Sequence, residues 1–204
     1  MHEETLYLKT KEVLEKIQNE PILEKFYLAG GTALALQLGH RKSIDLDFFA
    51  KKFPSQEKLI KALEKYQPTI TEEKPGTLHL QIEGVKISFL EYAYPLLKET
   101  VRYKAIKMAS VLDIACMKII AISQRSAKKD FVDLYEILQT LDLKDLVKAL
   151  EKKYEKRDYQ RTHILKSLTY FVDVESDLEP DYLKPTKWQE VKTFLRESAA
   201  DFKA

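Results

Sequence analysis

Between Leu28 and Ala50 the chain reads LAGGTALALQLGHRKSIDLDFFA. Gly30 and Gly31 follow the short apolar run Phe26–Ala29, Gly39 closes the next apolar run, and Asp45 and Asp47 then flank Leu46. This spacing predicts a buried strand, a tight turn, a helix over Thr32–Leu38 and a second strand over Ile44–Ala50, with almost no slack between them. Alternate strand residues share a face, so Asp45 and Asp47 should point one way and Ile44, Leu46 and Phe48 the other, into a core. Two adjacent carboxylates repel unless something positive lies between them. The usual remedy is a divalent metal with oxygen ligands, typically Mg²⁺ carrying a phosphate substrate. The glycines let backbone N–H groups approach an anion near a helix N-terminus.

Composition narrows the setting. The 204 residues are 45% hydrophobic and 32% charged, which is the balance of a folded soluble protein. Lys and Arg total 34 against 32 acids, so the net charge of +2 carries no global nucleic-acid signature. A single cysteine, Cys116, excludes an internal disulfide and a thiolate zinc cluster. No apolar run reaches the length of about 18–20 residues that a membrane span needs. With a charged N-terminus lacking an apolar leader pattern, the expected location is the cytoplasm, with no membrane partner.

The rest of the chain divides in character. An amphipathic helix is predicted from about Glu3 to Asn19, on Leu6, Val13, Leu14 and Ile17, and another over Gln56–Tyr66. A three-stranded meander is expected over Thr69–Thr71, Thr77–Glu83 and Val85–Tyr92, with a tight reversal at Glu83-Gly84. From about Ser110 the chain reads as all-helical. Ser110 and Asp113 resemble a capping box ahead of a helix to about Ser123, and further helices are expected over Lys128–Leu138, Leu143–Tyr154, Tyr159–Val172 and Trp188–Ala199. The fold class is therefore α+β. A small mixed β-sheet with flanking helices, about 1–100, is followed by a helical bundle, 101–204, that would complete a cleft.

Three blocks carry a family resemblance: AGGTALALQLGHRKSIDLDFF, KISFLEYAYPLL and DIACMKIIAISQRSAKKDFVDLYEIL. In this order and at these separations they resemble the AbiEii/AbiGii toxin family, on the minimal nucleotidyltransferase fold of the polymerase-β type. The resemblance implies a metal-assisted attack of an acceptor on the α-phosphate of an NTP, with release of pyrophosphate. It implies Mg²⁺, or Mn²⁺, as cofactor and an RNA acceptor such as the 3′ end of tRNA. A cognate antitoxin protein is the further partner it implies. Two alternatives stay open: an NTP–Mg²⁺-binding module with weak catalysis, and nucleotidyl transfer to a protein or small molecule.

Carried onto this chain, the resemblance makes Asp45 and Asp47 the metal-binding and catalytic carboxylates. Gly30, Gly31 and Thr32 become the phosphate-binding turn. Arg41 and Ser43, just before the aspartates, would also face the nucleotide, with Arg41 either a bidentate phosphate clamp or part of a solvated basic turn. Lys118 would neutralise phosphate charge, the alternative being a lysine whose stem lies along the core edge. Arg125 falls on the same helix face as Lys118, opposite a packing stripe of Ile114, Met117, Ile120 and Ala121. Asp130 would position Lys118 or the acceptor, and it shares a face with Asp133; both are also acids that a helix N-terminus favours. Active relatives in the wider superfamily place a third acid on a later strand. Here Ser88 occupies that place in VKISFLEY, and alternation turns Glu91 toward the core. All four histidines read as structural or surface residues. Lys152, Lys153, Lys156, Arg157 and Arg161, interleaved with Tyr154 and Tyr159, read as a solvated face or as a backbone-contacting RNA surface.

Overall fold

The computed structural model describes residues 1–154 and 160–203. Among these, the strands form one seven-stranded mixed sheet in the order β3-β4-β5-β2-β1-β7-β6. Between β2 and β7 lies β1 (Tyr27–Ala29), buried along its whole length. It pairs antiparallel with β2 (Leu46–Ala50), while β2 pairs parallel with β5 (Val85–Glu91). The expected meander is present as β3 (Thr69–Lys74), β4 (Thr77–Ile82) and β5, and Glu83 and Gly84 both take positive φ in the two-residue turn between β4 and β5.

Helix α1 (Leu8–Ile17) buries Val13, Leu14 and Ile17, and a separate 3-10 turn, Glu3–Thr5, precedes it. Helix α2 (Gly30–Leu38) springs directly from the end of β1 and ends at Gly39. Thr32 lies inside its first turn and caps nothing. Helix α3 (Gln56–Leu63) is capped by the Ser55 hydroxyl, which accepts from the Lys58 N–H. Leu46 and Phe48 are buried as alternation predicts, but β2 starts only at Leu46, and Ile44 is turned outward.

The sequence pattern misses one element. Between Thr100 and Ala109 the chain forms a hairpin, β6 (Val101–Tyr103) and β7 (Ile106–Met108), and β7 joins the sheet parallel to β1. The helices follow: α4 (Val111–Arg125), α5 (Lys128–Leu138), α6 (Leu143–Lys153), α7 (Arg161–Ser167) and α8 (Trp188–Lys203). Lys156, Arg157 and Tyr159 fall outside the described residues. On α4 the packed face is Ala115, Cys116, Ile119 and Ile122, fully buried beside Ile114. Met117, Ile120 and Ala121, expected in the packing stripe, instead line an open cleft. The reason is compositional: α4 is apolar nearly all round, so helical periodicity alone does not say which apolar side faces the core.

Candidate active site

A cleft of about 440 Å³ separates the sheet from α4. Gly30 at the β1–α2 turn, Asp47 on β2, Ser88 on β5 and His79 on β4 line one side. Lys118 and Arg125 face them from α4, and Phe49, Tyr92 and Met117 supply an apolar wall. The sheet register builds the polar side, because His79 pairs with Ser88 and Ser88 with Asp47 across three neighbouring strands.

The turn is shaped by contacts that leave no room for side chains. Gly30 has φ +65°, and a Cβ there would stand 2.6 Å from Asp47 Oδ2. A Cβ on Gly31 would collide with Arg41 Nη2 and stand 3.3 Å from Ser43 Oγ. Gly30 is therefore required by backbone conformation as well as by close approach, and Gly31 by close approach alone. The buried Thr32 hydroxyl sits between Ser43 Oγ, at 2.8 Å, and the Asp45 carbonyl. A hydroxyl has one proton, and a carbonyl can only accept, so Thr32 donates to Asp45 and Ser43 donates to Thr32. Thr32 and Ser43 thus tie the first turn of α2 to the segment entering β2, and neither hydroxyl is free to meet a phosphate. What the turn offers an anion is its backbone N–H groups.

Asp45 sits one residue ahead of β2 with its side chain 35% exposed, and Lys129 Nζ stands 3.9 Å from its Oδ2. Asp47 is more enclosed. Burial pushes its pKa up, and the neighbouring Asp45 adds to the rise. A hydrogen bond from Ser88, with Lys118 and Lys129 nearby, offsets part of it. This is a carboxylate pair short of positive charge. Two carboxylates suit Mg²⁺, which keeps several waters and takes the rest of its shell from substrate phosphates. Among the described residues no cluster of three or more His, Cys, Asp or Glu side chains could hold a metal. The donor set therefore fits a cation that arrives with its substrate better than a closed, permanently held one.

Behind the cleft lies a buried charge cluster. Lys118 Nζ bonds Asp130 Oδ1 at 2.6 Å and Asp133 Oδ2 at 2.5 Å. Arg41 grips Asp133 bidentately, Nε to Oδ1 at 2.7 Å and Nη2 to Oδ2 at 2.9 Å, and its Nη1 donates to the Lys42 carbonyl. His40 Nε2 stands 2.7 Å from Asp133 Oδ1. Burial alone would raise the pKa of Asp133, yet Arg41, Lys118 and His40 hold it well below the usual carboxylate range. Burial alone would lower Lys118, yet Asp133 and then Asp130 keep it raised and charged.

These contacts correct several expectations. Arg41 is no phosphate clamp, because its fork is committed to Asp133 and buttresses Gly31 from behind. Lys118 is neither a snorkelling stem nor an unpartnered cation; it is pinned between two carboxylates with its head at the cleft wall. Asp130 is fully buried and does hold Lys118, and its Oδ2 has no hydrogen-bond partner, with Arg125 Nη2 at 3.7 Å. Arg125, 67% exposed, stands at the cleft rim. Glu91 is turned to the surface, where it accepts from the Phe53 N–H, so it supplies no third acid. His40 is structural, as read. His79 is not: it faces the cleft, with Nδ1 3.0 Å from Ser88 Oγ. Alternation within Thr77–Ile82, where Leu78, Leu80 and Ile82 are buried, already placed His79 on the face shared by Ser88.

Relatives agree with this architecture. The family described as "Nucleotidyl transferase AbiEii toxin, Type IV TA system" matches residues 12–204. An uncharacterized protein of Aquifex aeolicus (strain VF5) is 40% identical over 205 residues, spanning 94% of this chain and 95% of that protein. MenT4, a nucleotidyltransferase toxin from Mycobacterium tuberculosis, superposes with a TM-score of 0.59 at 16% identity, over 93% of this chain and 82% of its own. JHP933 from Helicobacter pylori does so with a TM-score of 0.55 at 17% identity, over 96% and 92%. At such identities the structural likeness speaks for the fold, which is that of nucleotidyltransferases, while the match along nearly the whole sequence speaks for the family. The chain belongs to the AbiEii nucleotidyl transferase toxins of type IV toxin–antitoxin systems.

Proposed function

We propose that this nucleotidyltransferase moves a nucleoside monophosphate from an NTP to a hydroxyl of RNA, such as the 3′ end of tRNA, with Mg²⁺ or Mn²⁺ as cofactor. The observation that carries the reading is the opposition of Asp47, two residues from Asp45, to Lys118 across one cleft beside the glycine turn. Asp45 and Asp47 would hold the metal, which when bound neutralises triphosphate charge and polarises the α-phosphorus. Backbone N–H groups of Gly30, Gly31 and Thr32 would receive the triphosphate tail at the start of α2. Lys118, held by Asp130 and Asp133, would face the phosphates with its charge already oriented, so little reorganisation accompanies the reaction. Arg125 and Lys129, both largely exposed, supply positive charge at the rim where a polyanionic acceptor would arrive. The family setting adds a cognate antitoxin as partner, and the cytoplasm as the place of action.

The test is direct. Purified protein with Mg²⁺ and each of the four labelled NTPs is expected to label RNA, and Asp45→Ala and Asp47→Ala should abolish the transfer. Absence of label in RNA with every NTP would sink the RNA reading. Label in protein or in a small molecule, identified by mass spectrometry, would move the acceptor to that class.

A further inference from the structure

The helix that closes the active-site cleft also walls a second pocket. It holds about 410 Å³ and lies between the C-terminal end of α4 and helix α7. Gln124 and Arg125 line both cavities, so the second opens where the first ends. Along α4, Arg125 stands about 10 Å from Lys118 at the helical rise per residue.

The walls are held at a fixed spacing. His163 Nε2 meets the Ser123 carbonyl at 3.1 Å; a carbonyl can only accept, so the proton sits on Nε2 and the bond ties α7 to α4. The Ser123 and Ser126 hydroxyls donate back into α4, to the Ile120 and Ile122 carbonyls. The positive charge that the pocket offers a ligand therefore comes from Arg125 and Lys166. One carboxylate, Asp173, stands with them and accepts from the Tyr170 hydroxyl at 3.4 Å. The Tyr170 ring also lines the pocket and is 50% exposed.

Cations beside an open aromatic face suit single-stranded nucleic acid: the cations neutralise a phosphate and the ring stacks a base of any identity. The volume lies within the range of about 300–1,000 Å³ that small-ligand sites occupy, which suits one unpaired nucleotide rather than a duplex. An acceptor strand whose end lies in the cleft reaches this pocket past Arg125. We propose that the pocket binds the nucleotide preceding the acceptor hydroxyl of a single-stranded RNA end, its phosphate on Arg125 and Lys166 and its base on Tyr170. The inference rests on the RNA reading above and deepens it.

Binding is measured first without NTP, by fluorescence anisotropy of fluorescein-labelled oligoadenylate. Tyr170→Ala should weaken it about 5- to 100-fold, the worth of one base stacked on an aromatic ring, whereas Tyr170→Phe should bind as the wild type does. Lys166→Gln should lower the slope of log affinity against log salt by about 0.7, one single-strand phosphate contact. Both side chains are exposed, so the variants should keep the wild-type urea midpoint. In the transfer assay with bulk tRNA, Tyr170→Ala and Lys166→Gln should raise the KM for RNA and leave the KM for NTP unchanged. Oligoadenylate affinity unchanged in both variants, or a raised KM for NTP in place of RNA, would overturn this inference alone. A wild type that binds RNA with these dependences but transfers no label would uphold the pocket and overturn the functional reading beneath it.

Discussion

Gly30 is the residue where backbone and chemistry constrain each other most tightly. Gly30→Ala would force an L side chain into φ +65° and drive a methyl against Asp47 Oδ2. The left-handed conformation alone costs about 1–2 kcal/mol, and displacing Asp47 should abolish metal-dependent transfer. Urea denaturation and the RNA-labelling assay read the two effects separately. The acids of the site carry opposite pH signatures. Asp47 is shifted upward, so its protonated form is the one favoured in the fold, and its cost is felt as pH rises through its folded pKa. Asp45→Asn removes the second-largest cause of that shift. The urea midpoint should rise at pH 7, and the gain should vanish below about pH 4, where carboxyls are protonated in any state. Asp133 is shifted the other way, so its contribution is present above the unfolded carboxylate value and is lost as pH falls through its depressed folded pKa. Asp133→Asn leaves Arg41 and Lys118 buried without their shared partner. It should cost about 3–5 kcal/mol at neutral pH, and less as the pH falls below about 4.

Among elements, α4 shows how a local signal and a long-range one differ. Its N-terminus is set by Ser110, whose Oγ accepts from the Asp113 N–H at 3.1 Å and donates to Asp113 Oδ2 at 2.7 Å. Ser110→Ala should destabilise the fold by about 1 kcal/mol, the ordinary worth of an N-cap, read as a lower urea midpoint with an unchanged slope. That cap was legible in the sequence, as were the Glu83-Gly84 reversal, the Gly39 stop and the bounds of α5, because each depends on residues within one turn of the chain. The β6–β7 hairpin was not legible. Its strands are three residues each, and its turn, at Lys104-Ala105, places Lys104 at φ 52° with no glycine to announce it. The orientation of α4 was also hidden, since only packing against the sheet decides which apolar stripe is covered. At the site, Asp45, Asp47 and the glycines could be read locally. The fate of Arg41 could not, because its partner Asp133 lies 92 residues on. His79 was hidden for the same reason: its meaning depends on the strands beside it.

At the scale of the molecule, the helices are fastened to the sheet by a shared apolar core and, at one end of the cleft, by a buried ion pair. Asp113 on α4 and Lys153 on α6 are both fully buried, with Nζ 2.7 Å from Oδ1. Asp113 also accepts the Leu97 and Lys98 N–H groups at 2.9 and 3.2 Å, and Lys153 donates to the Pro95 carbonyl at 2.7 Å. Two helices are thereby clamped to the chain that leaves β5. The same region bears on the site: the Tyr92 hydroxyl bonds that of Tyr154, and Tyr92 forms part of the cleft wall. The two partners should not be equivalent. Lys153→Met removes one charge, but Asp113 keeps two backbone donors and the Ser110 hydroxyl, which together still stabilise an anion. Asp113→Leu removes the acceptor for all of them and leaves a buried ammonium with a single carbonyl. The expected loss for Asp113→Leu is therefore at the upper end of the roughly 3–5 kcal/mol for breaking a buried pair, and for Lys153→Met clearly smaller. Urea denaturation of the two single variants measures the order. Lys153→Met should also raise the KM for NTP with little change in kcat, because it loosens the wall behind Tyr92 and leaves Asp47 and Lys118 in place. A larger stability loss for Lys153→Met than for Asp113→Leu would show that the carboxylate does not organise this junction.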